Sequence, residues 1–140
     1  MRIKKKYIID FAKGVTWLLV LSLIFCLNQE QNMTAWIYFC LHGSYGLMWV
    51  AKSYIFPDKT WESKVGIPYA FLIFFGLVLY WAPAFIITLA GHEASLPIIT
   101  AAIFTFSIGV FYHFASDMQK YIVLKNNSGL ITDGFWKQCR

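Results

Sequence analysis

Two ionisable side chains with a spacing suited to proton chemistry lie near the end of the last apolar stretch of the chain. His113 and Asp117 are four residues apart, so in a helix they share one face. A carboxylate at this position can fix the tautomer of an imidazole or pair with its cation. A membrane helix that simply ends in polar residues at the interface would show the same pair, and the residues alone leave both interpretations open.

Further side chains that could take part in chemistry lie inside the apolar stretches. Tyr69 and Tyr80 could each donate a proton to the oxygen of an enone in a reductase, but nothing in the sequence assigns that role to either. His42 lies near the middle of an apolar stretch, where a hydrogen-bonded structural histidine is favoured over a catalytic one. Gly43 and Gly46 are expected to permit close helix packing rather than to contact a ligand.

The cysteines form neither a metal motif nor a redox motif. Cys26, Cys40 and Cys139 include no CxxC pair and no cluster with histidine at metal-ligand spacing. The first two fall in apolar stretches, where buried and inert thiols are expected. We therefore predict no disulfide framework and no metal site.

The composition indicates that these residues are held by helices in a lipid bilayer. Of the 140 residues, 59% are apolar and only 14% are charged, whereas a soluble domain has about 25% charged residues. A soluble protein of this size needs more polar side chains to cover its core, so much of the surface must face lipid. The net charge of +5 then reflects the basic loops that orient a membrane protein. We predict no nucleic-acid partner.

Four apolar stretches predict an all-α, polytopic membrane protein with about four transmembrane helices and short loops. The predicted spans are residues 7–27, 33–51, 65–90 and 96–114, followed by a cytoplasmic tail at 115–140 that Tyr121–Leu124 could join to the fourth helix. In the first span, Lys13 is expected to snorkel and Asp10 to lie near the headgroups. In the third span, Pro83 is expected to bend the helix.

The basic residues predict the orientation of these spans. With this helix count, all 12 lysines and arginines fall on one side of the membrane, and the opposite loops at 28–32 and 91–95 contain none. By the positive-inside rule both termini are cytoplasmic, in a bacterial inner membrane or the endoplasmic reticulum. A secretory signal peptide is the less favoured alternative for the first span, because no small-residue cleavage site follows Leu27.

Two stretches of the chain resemble a known membrane family. The first is HFASDMQK at 113–120, with Lys125 and GLITDGFWKQCR at 129–140, and the second is LHGSYGLMW at 41–49, with Lys52 and FPDKTWE at 56–62. Together they resemble the steroid 5α-reductase-like family, and its DUF1295 branch in particular. The resemblance implies an NADPH site in which Asp117 contacts the cofactor. The residues implied beside it are Ser116, His113, Lys125 and Arg140.

The resemblance also implies a limit on what this sequence can do. The strongest signature of the family would begin at Arg140, where the sequence ends. The chain then corresponds to the front portion of a larger fold that binds NADPH, or S-adenosylmethionine in related methyltransferases. We expect such a portion to be inactive alone.

Three functional classes follow. The first is an NADPH-dependent reductase, or a piece of one, that acts on a conjugated double bond in a lipid-like substrate. The second is a non-catalytic four-helix membrane subunit or scaffold, which would bind no nucleotide. A small transporter ranks last, because the spans lack a polar stripe.

Overall fold

The computed structural model describes residues 2–126 and 129–138, and most of these residues are helical. The α-helices are α1 (Lys5–Gly14), α2 (Thr16–Cys26), α3 (Met33–Tyr38), α4 (Ser44–Ile55), α5 (Ile67–Val78), α6 (Ala82–Ala90) and α7 (Leu96–Asn126). Short strands β1 (Arg2–Lys4) and β2 (Lys64–Gly66), a π-helical turn at Phe39–Gly43 and 3₁₀ turns at Lys59–Glu62, Leu79–Trp81 and Gly134–Gln138 complete the elements.

Within residues 2–126 and 129–138, three helical stretches are long and apolar enough to cross a membrane, so the predicted all-α membrane fold is confirmed. They are Lys5–Cys26, Ile67–Ala90 and Leu96–Lys125. Residues 33–55 are helical too, through α3, the π-helical turn and α4, but they do not belong to this set. His42, Ser44 and Lys52 make this segment more polar than the others. A crossing by this segment therefore stays a prediction.

The environment of Lys13 differs from the predicted one, because its side chain turns inward instead of snorkelling. Its ammonium lies 3.6 Å from the ring centroid of Tyr80, 5.2 Å from that of Tyr45 and 5.7 Å from that of Trp49. These rings attract the cation through their quadrupoles. Lys13 thus helps to hold the first helix against the aromatic side chains of the helices beside it.

Glycine allows the close approach that brings Lys13 to these rings. A Cβ at Gly46 would collide with the main-chain oxygen of Lys13, and one at Gly43 would lie 3.0 Å from the Cβ of Trp17. The packing role predicted for both glycines is therefore confirmed.

Cys26 and Cys40 are exposed, so the prediction that their thiols are buried is wrong.

A small two-stranded sheet joins the N-terminus to residues 64–66, where the sequence predicts the start of the third span. β1 and β2 pair antiparallel, with Arg2 opposite Gly66 and Lys4 opposite Lys64. The helix predicted as the third span consequently begins at Ile67 rather than at residue 65. Three-residue strands have too little periodicity to be predicted, and here the pairing depends on the partner strand 60 or so residues away.

The helical stretch Ile67–Ala90 is interrupted just before Pro83. The 3₁₀ turn Leu79–Trp81 separates α5 from α6, and Pro83 lies in the first turn of α6. Proline is well tolerated there, because its missing N–H has no intrahelical partner to lose. The indole of Trp81 donates to the hydroxyl of Thr16 across 3.1 Å, which ties the interruption to α2.

A buried apolar cluster lies toward the end of the bundle away from the sheet. Val20, Ile24, Ala35, Tyr38 and Ala84 form the buried cluster between α2, α3 and α6. α7 is much more open, and it continues through residues 115–126, which confirms that Tyr121–Leu124 prolong the fourth helix. The side chains of the site on α7 must therefore be positioned by contacts that long side chains make between α7 and the rest of the bundle.

Candidate functional site

A buried ion pair connects α4 to α7. The Lys52 ammonium lies 2.5 Å from Oδ2 of Asp117, and the two side chains are only 4% and 20% exposed. Placing charges away from water is costly unless each has a close partner. The position of Asp117 is therefore tied to Lys52, which lies 65 residues earlier in the sequence.

His113 lies beside this pair, but it is not the main partner of Asp117. Its Nε2 is 3.7 Å from Oδ2 of Asp117, which is too long for a hydrogen bond. Among the residues that the structure describes, this buried nitrogen has no hydrogen-bond partner. The imidazole stacks on Trp49 at 5.6 Å between ring centroids. The predicted shared face exists, and it leaves one buried imidazole nitrogen without a hydrogen-bond partner among the described residues.

Ser116 uses its polar atoms within the protein. Its hydroxyl donates to the carbonyl oxygen of His113 across 3.0 Å, and its own carbonyl oxygen accepts a hydrogen bond from the indole of Trp136 at 2.9 Å. Gln119 bonds the same C-terminal segment, donating to the carbonyl oxygen of Asp133 and accepting from the N–H of Phe135. Ser116 therefore anchors the segment after α7 to the helix turn that carries His113.

The other two residues implied for the cofactor lie elsewhere. Lys125 is about 12 Å farther along the helix than Asp117, and its ammonium lies over the ring of Tyr121 at 5.8 Å. Arg140 lies outside the described residues. The structure thus brings His113, Ser116 and Asp117 together and leaves Lys125 apart from them.

An aromatic cluster extends the site into the bundle. Tyr45 lies 5.9 Å from His113 and 6.3 Å from Tyr80, measured between ring centroids. His42 stacks on Tyr38 at 4.1 Å, and its Nδ1 is buried without a hydrogen-bond partner in residues 2–126 and 129–138. The hydrogen bond expected of a structural histidine is therefore missing at this atom.

Sequence reasoning missed most of the residues that surround the predicted pair. The sequence predicts no site role for Lys13, Tyr45 or Trp49, and it places Lys52 directly after the second span, which ends at residue 51. A charge at membrane depth was the available signal for both lysines. No spacing rule connects Lys52 with Asp117, because the two lie on different helices.

A second ion pair holds the segment before β2 against α7. The ammonium of Lys120 lies 2.6 Å from Oδ2 of Asp58, and Oδ1 of Asp58 accepts from the N–H of Thr60 at 2.8 Å. Partial burial alone would raise the pKa of Asp58, but these hydrogen bonds outweigh it and hold the pKa below its ordinary value. Asp58 consequently stays ionised at neutral pH.

The site offers a nucleotide some groups and lacks others. His113 has a free ring nitrogen, while the charge of Asp117 is already balanced by Lys52. Within the described ranges no three His, Cys, Asp or Glu side chains come together as a metal site.

Comparison of the chain with protein-family models, with curated proteins and with solved structures finds no match.

We expect Asp117→Asn to lower the free energy of unfolding by about 3 kcal/mol, because it leaves the Lys52 ammonium buried without its partner. Asp133→Asn, which removes an exposed carboxylate from the tail, should change stability little. The double variant Lys52→Met with Asp117→Leu should recover most of the loss, since it removes both charges. Thermal unfolding in detergent measures all three, and equal melting of Asp117→Asn and the parent would show that the pair contributes nothing.

Proposed function

We propose that this chain is the membrane-embedded front portion of an NADPH-dependent reductase that acts on a conjugated double bond of a lipid-like substrate, and that it is inactive alone. The observation that carries this proposal is the meeting of the two stretches that resemble the steroid 5α-reductase-like family. Residues 41–62 and 113–138 meet through Lys52 and Asp117 and through Trp49 and His113. They also meet through Asp58 and Lys120.

This meeting supports a shared site because the contacts join residues far apart in the chain. If the resemblance were accidental, its two patches would have no reason to converge on one buried polar cluster. Ionisable groups at membrane depth are expensive and are candidates for function by default. The cluster also contains buried ring nitrogens that no described residue satisfies, and such groups commonly bind a ligand or water.

Each residue has a definite part in this proposal. Lys52 fixes the carboxylate of Asp117, and Trp49 and Tyr45 fix the plane of the His113 imidazole. The Nε2 atom of His113 then faces the cofactor or substrate as a hydrogen-bonding group. NADPH, when bound, supplies the hydride. The apolar side chains around the cluster exclude water from the reacting groups.

The contacts at the two ends of the protein support the proposed orientation. At one end β1 pairs with β2, and Lys120 binds Asp58. At the other end the N–H of Met33 donates to Glu93 across 2.9 Å. The N-terminal head, the 56–66 segment and the end of α7 therefore share one end, which is the cytoplasmic end if the basic residues follow the positive-inside rule.

A non-catalytic membrane subunit is the second candidate, and one observation favours it. α7 carries large apolar side chains that the rest of the chain leaves exposed, including Phe104 at 67% and Phe111 at 62%. Such a face suits lipid or the helix of a partner. A subunit of this kind would bind no nucleotide.

Single cysteines test the orientation in a background without the natural ones. We expect Lys59→Cys and Lys125→Cys to react with an impermeant maleimide only from the cytoplasmic side, and Gln31→Cys only from the outside. The physical reason is that basic loops are retained in the cytoplasm. Reaction of Gln31→Cys from the cytoplasm would contradict the four-helix topology.

NADPH binding by the purified chain separates the two candidate functions. We expect weak binding, reduced by His113→Ala and Lys125→Ala and not by the matched change Lys64→Ala, because a few polar contacts persist without a full pocket. Hydride transfer needs the cofactor held at near-attack distance, so no NADPH should be oxidised with an enone lipid. Calorimetry and absorbance at the NADPH band measure the two quantities.

The outcomes of the NADPH experiment point in different directions. A folded chain that binds no NADPH would favour the subunit. Turnover by the chain alone would contradict the proposed inactivity and place catalysis among the residues around Tyr45.

A further inference from the structure

A pocket opens where the last turns of α7 face the segment before β2. It has a volume of about 380 Å³ and lies between Asp58, Lys59 and Thr60 on one side and Tyr121, Leu124 and Lys125 on the other. Pockets of this size hold small molecules or the headgroup of a lipid. The proposed reductase chemistry does not use this pocket, apart from the implied role of Lys125.

The pocket has more positive charge than its acids can balance. The Lys120 ammonium is paired with Asp58 at 2.6 Å, and Glu62 is paired with Lys4 at 2.6 Å. The pairing raises the pKa of Lys4 and lowers that of Glu62 through their hydrogen bond, so both remain charged at neutral pH. Both carboxylates that line the pocket therefore already have a cation.

Two further ammonium groups in the pocket have no carboxylate partner within the described part of the chain. Lys59 donates to the main-chain oxygen of Leu124 across 3.3 Å. Lys125 lies over the ring of Tyr121. Neither contact neutralises a charge, so an anion that enters the pocket would meet two ammonium groups that line it and attract it.

The walls of the pocket suit a molecule that is partly apolar. Pro57, Tyr121 and Leu124 line it beside the lysines. Tyr121 and Leu124 belong to the helical stretch Leu96–Lys125, which is apolar enough to cross a membrane. The pocket thus lies where an apolar span gives way to charged residues, which is the level of lipid headgroups.

We propose that this pocket binds the phosphate of an anionic phospholipid, with Lys59 and Lys125 as the groups that recognise it. The glycerol and the first part of the acyl chains would lie against Pro57, Tyr121 and Leu124. Clusters of lysine next to a membrane span attract anionic lipids, and here two of them line a cavity instead of standing free in solvent. The carbonyl ends of α7 repel an anion, so the phosphate should lie over the two lysines and off the helix axis.

The same phosphate chemistry is available from a free phosphate compound, and the experiment has an arm for each source. The full chain is reconstituted in nanodiscs that contain phosphatidylcholine with a minor fraction of spin-labelled phosphatidic acid or spin-labelled phosphatidylcholine. Electron paramagnetic resonance then measures the motionally restricted fraction of each lipid. Glycerol phosphate is added in excess as the soluble competitor.

We expect the chain to restrict phosphatidic acid in preference to phosphatidylcholine. Lys59→Gln and Lys125→Gln should each lower that preference about fivefold, since each lysine near the surface contributes on the order of 1 kcal/mol. The double variant should abolish it. Lys64→Gln, an exposed lysine of the neighbouring strand that does not line the pocket, is the matched control and should retain the preference.

Three results would overturn the proposal. Equal restriction of the two lipids by the unaltered chain would show that the pocket has no anionic ligand of this kind. If Lys64→Gln and the double variant lost the preference for phosphatidic acid equally, that preference would come from general surface charge and not from the pocket. Release of the labelled phosphatidic acid by glycerol phosphate would assign the pocket to a free phosphate compound. NADPH titration of the same samples reports on the reductase proposal separately, because an intact lipid preference with no NADPH binding would reject that proposal alone.

Discussion

The ion pair between Lys52 and Asp117 is the interaction on which the arrangement of the site depends. α7 packs loosely, and only 6% of its span is buried within the protein, against 28% of the first span. A helix with so little apolar burial inside the protein is not positioned by close packing. The charged pair, at 2.5 Å, fixes the height and rotation of α7, and with them the position of every other α7 residue in the site.

The remaining contacts of α7 reinforce what the ion pair begins. His113 and Phe114 reach Tyr45 and Trp49 through their rings, and Lys120 reaches Asp58 near the membrane surface. These contacts lie on successive turns of one helix face, because the residues are spaced by three or four. Loss of the buried pair would remove the central contact and leave the ring contacts and the ion pair of Lys120 with Asp58, each of which is weaker.

Cations in the bundle are stabilised in two different ways. Lys52 has a carboxylate partner, whereas the partners of Lys13 in the described part of the chain are the faces of Tyr80, Tyr45 and Trp49. A cation with aromatic partners alone leaves its N–H groups open to hydrogen bonding. Among the described residues, the centre of the bundle also contains buried nitrogens of His42 and His113 without a hydrogen-bond partner, and each such group calls for an explanation.

The sequence predicted the features that depend on local composition and failed on those that depend on distant partners. Long apolar stretches were enough to predict the helices. Pro83 lies just after the 3₁₀ turn that interrupts the helix of residues 67–90, and the bend expected there stays a prediction. The direction of the Lys13 side chain was predicted wrongly, since snorkelling assumes lipid beside the residue and Gly46 instead brings an aromatic helix there. To predict that Lys52 pairs with Asp117, or β1 with β2, one must already know which elements of the fold meet.

The distance between α4 and α7 tests most directly whether the ion pair positions α7. Spin labels at Ile55 and Ile122, both exposed on their helices, report this distance by double electron–electron resonance in nanodiscs. The parent should give one narrow distribution, Lys64→Met should leave it unchanged, and Lys52→Met should broaden it and shift it to longer distances. The same narrow distribution in Lys52→Met would contradict the claim that this pair holds α7 in place.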